Sequence, residues 1–264
     1  MNIICIGDVV GQPGRQAIKT LLPDLKKQYR ADLVIVNAEN AAAGAGLTAR
    51  LADELFKDGC DVLTLGDHVW DQKDLEEYFD QHEYVIRPAN FPNGVPGKGW
   101  CVKQTASGVK VGVVNLLGRV FMRYQMECPF RTLKQIIEQI RKYTPIIVVD
   151  MHAETTSEKI AMGHFCNGWV TAVVGTHTHV QTADEKILSQ GTAYITDLGM
   201  TGPYDSVIGQ DKEAILKRFL TSMPIRFHVA EEDVKLHGVV LEVDEKTGKA
   251  SRIQRIQKAM LENT

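Results

Sequence analysis

The tightest constraint in this sequence is positional. Short apolar runs recur along the chain, and directly after one run after another stands a residue able to bind a metal or move a proton. Ile3 to Gly7, Leu33 to Asn37 and Val62 to Gly66 are continuous and rich in β-branched residues rather than alternating, the pattern of strands buried on both faces. The stretches between them carry helical spacing. One helix is expected from about Arg15 to Tyr29, with Ile18, Leu21, Leu22 and Leu25 recurring along it. A second is expected from Thr48, a good N-cap, to Gly59, a good C-cap. Strands alternating with helices in this way make an α/β fold.

From about Val85 to Gly118 the pattern shifts to short segments punctuated by Gly and Pro. Trp100 to Thr105 and Lys110 to Leu116 resemble a hairpin around Ser107-Gly108, which makes the sheet mixed. A helix from about Thr132 to Tyr143 leads into a buried strand, Ile146 to Asp150. A helix near Ser157 and strands at Val170 to Gly175 and Ala193 to Asp197 follow. Alternating runs at Ile225 to Val229, Val239 to Val243 and Ser251 to Ile256 are expected to close a second sheet. With 264 residues and no repeat, linker or low-complexity tract, the chain 1–264 is expected to form a single domain.

Composition narrows the class. A net charge of -3 and 44% hydrophobic residues suit a globular enzyme and argue against a protein that coats long nucleic acids. Positive charge for a phosphate-bearing partner would then come from bound cations. Cys5, Cys60, Cys101, Cys128 and Cys166 form no CxxC pair, and their odd number fits a reducing, cytoplasmic setting in which they act as small buried hydrophobes. The opening run is interrupted by Asp8 and lacks a basic segment, so it is not read as a signal peptide, and no stretch is apolar enough to suggest a membrane span.

The ligand-type residues gather at one kind of strand end. Asp8 follows the first run, Glu39 and Asn40 the second, Asp67 and His68 the third, His152 the run ending at Asp150, and His177 and His179 the run ending at Gly175. In open α/β sheets functional groups collect outside the carboxyl ends of strands, so these residues are expected in one crevice. Carboxylates and imidazoles suit divalent Mn, Fe or Zn, and no cysteine lies near to make a structural thiolate zinc site. Glu39 could bridge two cations, with Asp8 and one histidine on one side, and Asp67 and two histidines on the other. Two cations about 3.5 to 4 Å apart generate hydroxide at neutral pH and clamp a phosphoryl group, so hydrolysis of a phosphate ester is the expected reaction. Taken singly, Asp8 and Asn40 also fit turn or capping roles. His82, His164, His228 and His237 lack this context and are read as surface or packing residues.

The blocks Gly7-Asp8-Val9-Val10-Gly11, Asn37-Ala38-Glu39-Asn40, Gly66-Asp67-His68-Val69-Trp70-Asp71, Asp150-Met151-His152-Ala153-Glu154 and Gly175-Thr176-His177-Thr178-His179, with the loop Thr201-Gly202-Pro203-Tyr204-Asp205, resemble the calcineurin-like metallophosphoesterases. They resemble more closely the YmdB-like bacterial cyclic-nucleotide phosphodiesterases. The resemblance implies a four-layer α/β/β/α sandwich with two mixed sheets and two divalent or mixed-valence metal ions, iron first and manganese as the alternative. It implies hydrolysis of 2',3'-cyclic nucleotides, small phosphodiester substrates, by a hydroxide bridging the metals. Carried over residue by residue, it puts Asp8, Asn40 and His179 on one metal, Glu39 between the two, and Asp67, His152 and His177 on the other. His68 is then the general acid, a group within hydrogen-bond reach of the leaving alkoxide but outside the metal shell.

One departure bears on the chemistry. The family usually carries Asn where this chain has Asp67, so three carboxylates face two cations and leave less positive charge to attract phosphate. Val10 also stands where the wider superfamily has a histidine, as is usual in the YmdB-like group. For substrate contacts, Arg119 is the candidate for the phosphate, with an exposed arginine as the alternative. Phe121, Tyr124 and Phe130 could stack a base or belong to the core. A phosphomonoesterase, a catalytically silent metal-dependent regulator and a homo-oligomer stay open. A Rossmann nucleotide site fits less well, because Gly7, Gly11 and Gly14 are wrongly spaced and Asp8 would repel a pyrophosphate.

Overall fold

In the computed structural model, which describes residues 1–261, the chain runs through β1 (Asn2–Ile6), β2 (Asp8–Val9), α1 (Gly11–Tyr29), β3 (Leu33–Asn37), α2 (Ala49–Lys57), β4 (Val62–Thr64), α3 (Leu75–Tyr78) and β5 (Val85–Ile86). It continues through β6 (Trp100–Gln104), β7 (Lys110–Leu117), α4 (Pro129–Ile140), β8 (Ile147–His152), α5 (Thr156–Phe165), β9 (Ala172–Thr176), β10 (Lys186–Ile187), β11 (Ala193–Ile195), β12 (Met200–Pro203), α6 (Lys212–Thr221), β13 (Val234–Val243) and β14 (Ala250–Ala259). One sheet has the order β2-β12-β13-β1-β3-β4-β5, with β14 on β13. The other has the order β10-β11-β9-β8-β7-β6.

The period of two along each strand sorts side chains between layers. Ile4 and Ile6 of β1 and Val34 and Val36 of β3 pack under α1 and α2 with Ile18, Leu22 and Leu55. Ile3, Cys5, Leu33 and Ile35 point the other way and meet Val111, Val113, Val148 and Val174 of the second sheet. That sheet's far face, through Val114, Leu116, Ile147 and Val149, rests on Leu133, Ile136 and Ile140 of α4 and Met162 of α5. The result is the expected four-layer α/β/β/α sandwich with two mixed sheets. Each fully buried Leu or Ile contributes about 1.5–3 kcal/mol, so the central layer between the sheets is the main tie between the two halves.

Several local expectations change. Helix α1 begins at Gly11 rather than Arg15: Gly11 takes φ +59, and Pro13 occupies the first turn, where a missing N–H costs no helical hydrogen bond. Helix α4 lies three residues earlier than expected because Pro129 serves as a helix start. Ile225 to Val229 forms no strand; only Val229 makes an isolated bridge, to Gln210. The last two strands do not close a second sheet. β13 inserts antiparallel between β12 and β1 in the first sheet, and β14 pairs with β13. The hairpin β6–β7 forms in the register Trp100 opposite Val114 and edges the second sheet. No helix among the described residues is long and apolar enough to cross a membrane.

Candidate metal centre

Strands β1, β3 and β4 of one sheet run parallel to one another, as do β7, β8 and β9 of the other. Their carboxyl ends therefore deliver side chains to a common rim. Asp8, Glu39, Asn40, Asp67 and His152 all arrive there buried. Ligand atoms of Glu39, Asp67, His152 and His177 lie within 4.8 Å of one another. His152 Nε2 stands 3.1 Å from Glu39 Oε1, 3.3 Å from Asp67 Oδ1 and 3.0 Å from His177 Nδ1.

The remaining residues sit on the other flank of Glu39. Asn40 Nδ2 is 3.2 Å from Glu39 Oε1 and 3.1 Å from His179 Nε2, so Glu39 touches both halves of the cluster. Asp8 Oδ2 accepts the backbone N–H of His177 at 3.2 Å. Its Oδ1 is buried with no hydrogen-bond partner among the described residues, 3.9 Å from both His179 Nε2 and His152 Nδ1. An unpaired buried carboxylate oxygen is costly unless a cation or water completes it. That orphan, the mixed carboxylate and imidazole donors and their spacing fit divalent cations. The cradle is also tight: a Cβ on Gly66 would lie 2.1 Å from Glu39 Oε2 and 2.3 Å from His152 Nε2, so glycine is required where the chain passes beneath the cluster.

A layer of supports lies behind the cluster. His152 Nδ1 meets Thr176 Oγ1 at 2.9 Å, and Thr176 donates to Asp150 at 2.6 Å. Asn37 Nδ2 and Thr64 also donate to Asp150. His177 and His179 both adopt left-handed backbones, φ +97 and +64, a strained choice for residues with a Cβ. Thr178 between them is pinned by Asp197, which takes its N–H at 3.2 Å and its hydroxyl at 2.7 Å. Asp197 is in turn paired with the fully buried Lys159 at 2.6 Å. A buried ion pair adds little net stability, and its value here is that it fixes the turn carrying both histidines. His179 Nδ1 faces the carbonyl of Ile208 at 2.9 Å.

Crowded acids and imidazoles perturb one another. Burial pushes the Asp8 carboxyl up to about 6. Burial opposes the charged forms of Glu39 and Asp67, but His152 overcomes it and holds both below their ordinary range. Burial likewise opposes the His152 imidazolium, yet Glu39 and Asp67 raise it well above 6.5. Burial, and then the charge on His152, drive His177 down to about 4, leaving a neutral imidazole with a free lone pair.

His68 stands at the rim. Its backbone N–H donates to Glu39 at 3.3 Å, and its Nδ1 lies 2.7 Å from Asp71 Oδ2. Despite the opposing effect of burial, Glu39 and Asp71 raise its pKa. Asp71 also holds Arg123 at 3.1 Å. Arg119 is exposed, its backbone N–H bound by Glu158 at 3.1 Å, and no described contact brings its side chain to the cluster. Tyr124 and Phe130 pack against the cores, whereas Phe121 is 87% exposed. Sequence alone gives Arg123 no role and names Asp71 only within a motif block, although Asp71 lies three residues past His68, across one turn and so within reach of its ring. His237 is buried, hydrogen-bonded to Tyr204 at 2.6 Å, which fits its packing role.

Comparison with known proteins gives the same direction. Residues 4–256 match the family described as YmdB-like protein. A 2',3'-cyclic-nucleotide 2'-phosphodiesterase from Bacillus subtilis is 50% identical over 256 residues, covering 97% of this chain and 96% of the relative. A crystal structure of a hypothetical protein from Thermus thermophilus superposes with a TM-score of 0.91 at 40% identity, covering 98% of this chain and 99% of the other. A crystal structure described as that of a novel phosphatase from Mycoplasma pneumoniae gives a TM-score of 0.91 at 39% identity, covering 98% and 93%. With a match to nearly its whole length and relatives at these identities, the chain belongs to the YmdB-like family.

Proposed function

We propose that this protein is a metal-dependent phosphodiesterase that opens 2',3'-cyclic nucleotides. The observation that carries the reading is Glu39 in contact with both Asn40 and His152, at the junction of two half-clusters of oxygen and nitrogen donors. Asp8, Asn40 and His179 would hold one cation, Asp67, His152 and His177 the other, and Glu39 would be shared. Iron is the first choice and manganese the second, since both accept this mixture of carboxylate and imidazole. Bound there, the cations would supply Lewis acidity to the phosphoryl oxygens and lower the pKa of water.

The chain's own groups do the rest. Water adds to phosphorus, the bond from phosphorus to O2' breaks, and O2' leaves as an alkoxide that needs a proton. His68 supplies it: Asp71 holds Nδ1, Glu39 and Asp71 favour the protonated ring against the effect of burial, and Nε2 is the nitrogen left to donate. The product is a nucleoside 3'-phosphate. Arg123, tied to Asp71, and Arg119, a few residues earlier on the same loop, are the cations available to the substrate's phosphate. Free, mostly buried cysteines support a cytoplasmic setting.

The test is hydrolysis of 2',3'-cyclic AMP by protein stripped of metal and reloaded with ferrous iron or manganese, beside a His68→Ala variant. Turnover should return with metal and fall about 10²- to 10⁴-fold in the variant with little change in KM. A metal-loaded protein without turnover overturns the substrate assignment. Full activity in the variant overturns the role of His68.

A further inference from the structure

A second polar cavity lies away from the metal cluster, between the loop after β5 and the start of α4. Its volume, about 520 Å³, falls inside the range typical of small-molecule sites. None of the candidate ligands lines it. Among its lining residues is Arg87, only 8% exposed. Backbone carbonyls of Pro96 and Pro88 hold Nε at 2.9 Å and Nη1 at 2.7 Å, orienting the guanidinium. Nη2 donates to none of the described residues. No carboxylate oxygen among them lies within 4.0 Å of Arg87 or of Arg131, a second lining guanidinium. A buried guanidinium without a counter-charge is costly unless an anion completes it.

Two further features point the same way. Helix α4 opens into the cavity at Cys128 with no side-chain cap and no acid in its first turn, so its first free N–H groups and the positive end of its dipole have no partner among the described residues. Trp100 also lines the cavity and Gln135 offers an amide, a combination suited to a base. Glu127 is the one carboxylate in the lining, against two guanidiniums.

We infer that this cavity binds a nucleoside monophosphate, its phosphate dianion on Arg87, Arg131 and the α4 N-terminus and its base beside Trp100. The shared chemistry with inorganic phosphate is the dianion; the nucleoside is what Trp100 and the cavity volume add. The site stands apart from the metal cluster, so its occupancy does not depend on the proposed hydrolysis. Through it, a nucleotide of the class that reaction releases would bind a second surface of the same molecule.

Cys128 provides the reporter. It lines the cavity and is partly exposed, while the other four cysteines are buried. In metal-free protein, kept so by a chelator, a thiol reagent should label Cys128 fast and the rest slowly. A Cys128→Ser control should lose the fast phase. Adenosine 3'-monophosphate at about ten times its dissociation constant should slow the fast phase about tenfold. Inorganic phosphate should need a higher concentration, and adenosine should not protect. Arg131→Ala, a change at an exposed position, should abolish protection, and Arg87→Met should do the same where it folds. Unchanged labelling in nucleotide, or full protection in Arg131→Ala, overturns the site. Equal protection by inorganic phosphate overturns the nucleoside part and reduces it to an anion site.

Discussion

The two halves of the proposed centre are built by different means. Around His152 and Asp67 the supports are side chains on strands: Thr176, Asn37, Thr64 and Asp150 form a closed network in the fully buried layer between the sheets. Around His179 and Asn40 the supports are loops: the left-handed turn through Thr178, pinned by Asp197, and the carbonyl of Ile208, itself at φ +47. Strand-borne groups keep their places through many hydrogen bonds, whereas loop-borne groups move when their loops move. The strand-supported half is therefore expected to hold its cation more tightly, and the loop-supported half to empty first when metal is withdrawn.

The largest effect should come from the residue common to both halves. Glu39→Gln should lower kcat about 10³-fold, equivalent to roughly 4 kcal/mol, and release metal from both sides. Retention of two tightly bound ions with ordinary turnover would remove Glu39 from the centre and dissolve the division into halves. Next, Thr176→Val takes away the hydroxyl behind His152. It should weaken one metal site about 10- to 100-fold in a calorimetric titration and leave the other unchanged. Equal weakening of both would show that the halves are one unit.

A smaller effect is read without metal. The folded pKa values of His152 and of His68 are both raised, so the stability each contributes is fully present below pH 6.5 and is lost as pH rises through the raised value. Asp8, raised to about 6, and His177, lowered to about 4, titrate below that window. Urea unfolding of metal-free protein should therefore lose about 1 kcal/mol per pH unit above 6.5. A flat profile there would mean that neither His152 nor His68 holds its proton through the neighbouring carboxylates. The smallest effect is expected from Asp67→Asn: two metals still bound, turnover on the phosphodiester equal or faster, and His152 easier to deprotonate. Loss of metal in that variant would make Asp67 indispensable rather than an exchangeable ligand.

The contrast also explains what could be read in advance. Leu33 to Asn37 matches β3 to the residue, because a parallel strand buried on both faces leaves an unbroken apolar run. The same runs mark their own carboxyl ends, and the residues that converge on the rim stand there. Ile225 to Val229 alternates Arg226 and His228 with Phe227 and Val229, yet the alternation lines a groove beside α1 rather than a ladder. The C-terminal hairpin was recognised as strands but given to the wrong sheet, since a period of two assigns faces and says nothing about which strand lies alongside. Asp150 and Thr176 stand in the motif blocks without a role of their own, and Arg123 stands outside them, because their meaning lies in partners distant in sequence, which leave no local mark. Asp71, three residues from His68, is the one whose role the spacing does offer.

The antiparallel pairing of β13 with β1 spans almost the full length of the chain, Asn2 opposite Glu242. During synthesis, therefore, the strand that leads to Asp8 lacks one neighbour until the last few dozen residues have left the ribosome. An unfinished or truncated chain would carry every candidate ligand but have no finished rim on which to mount them.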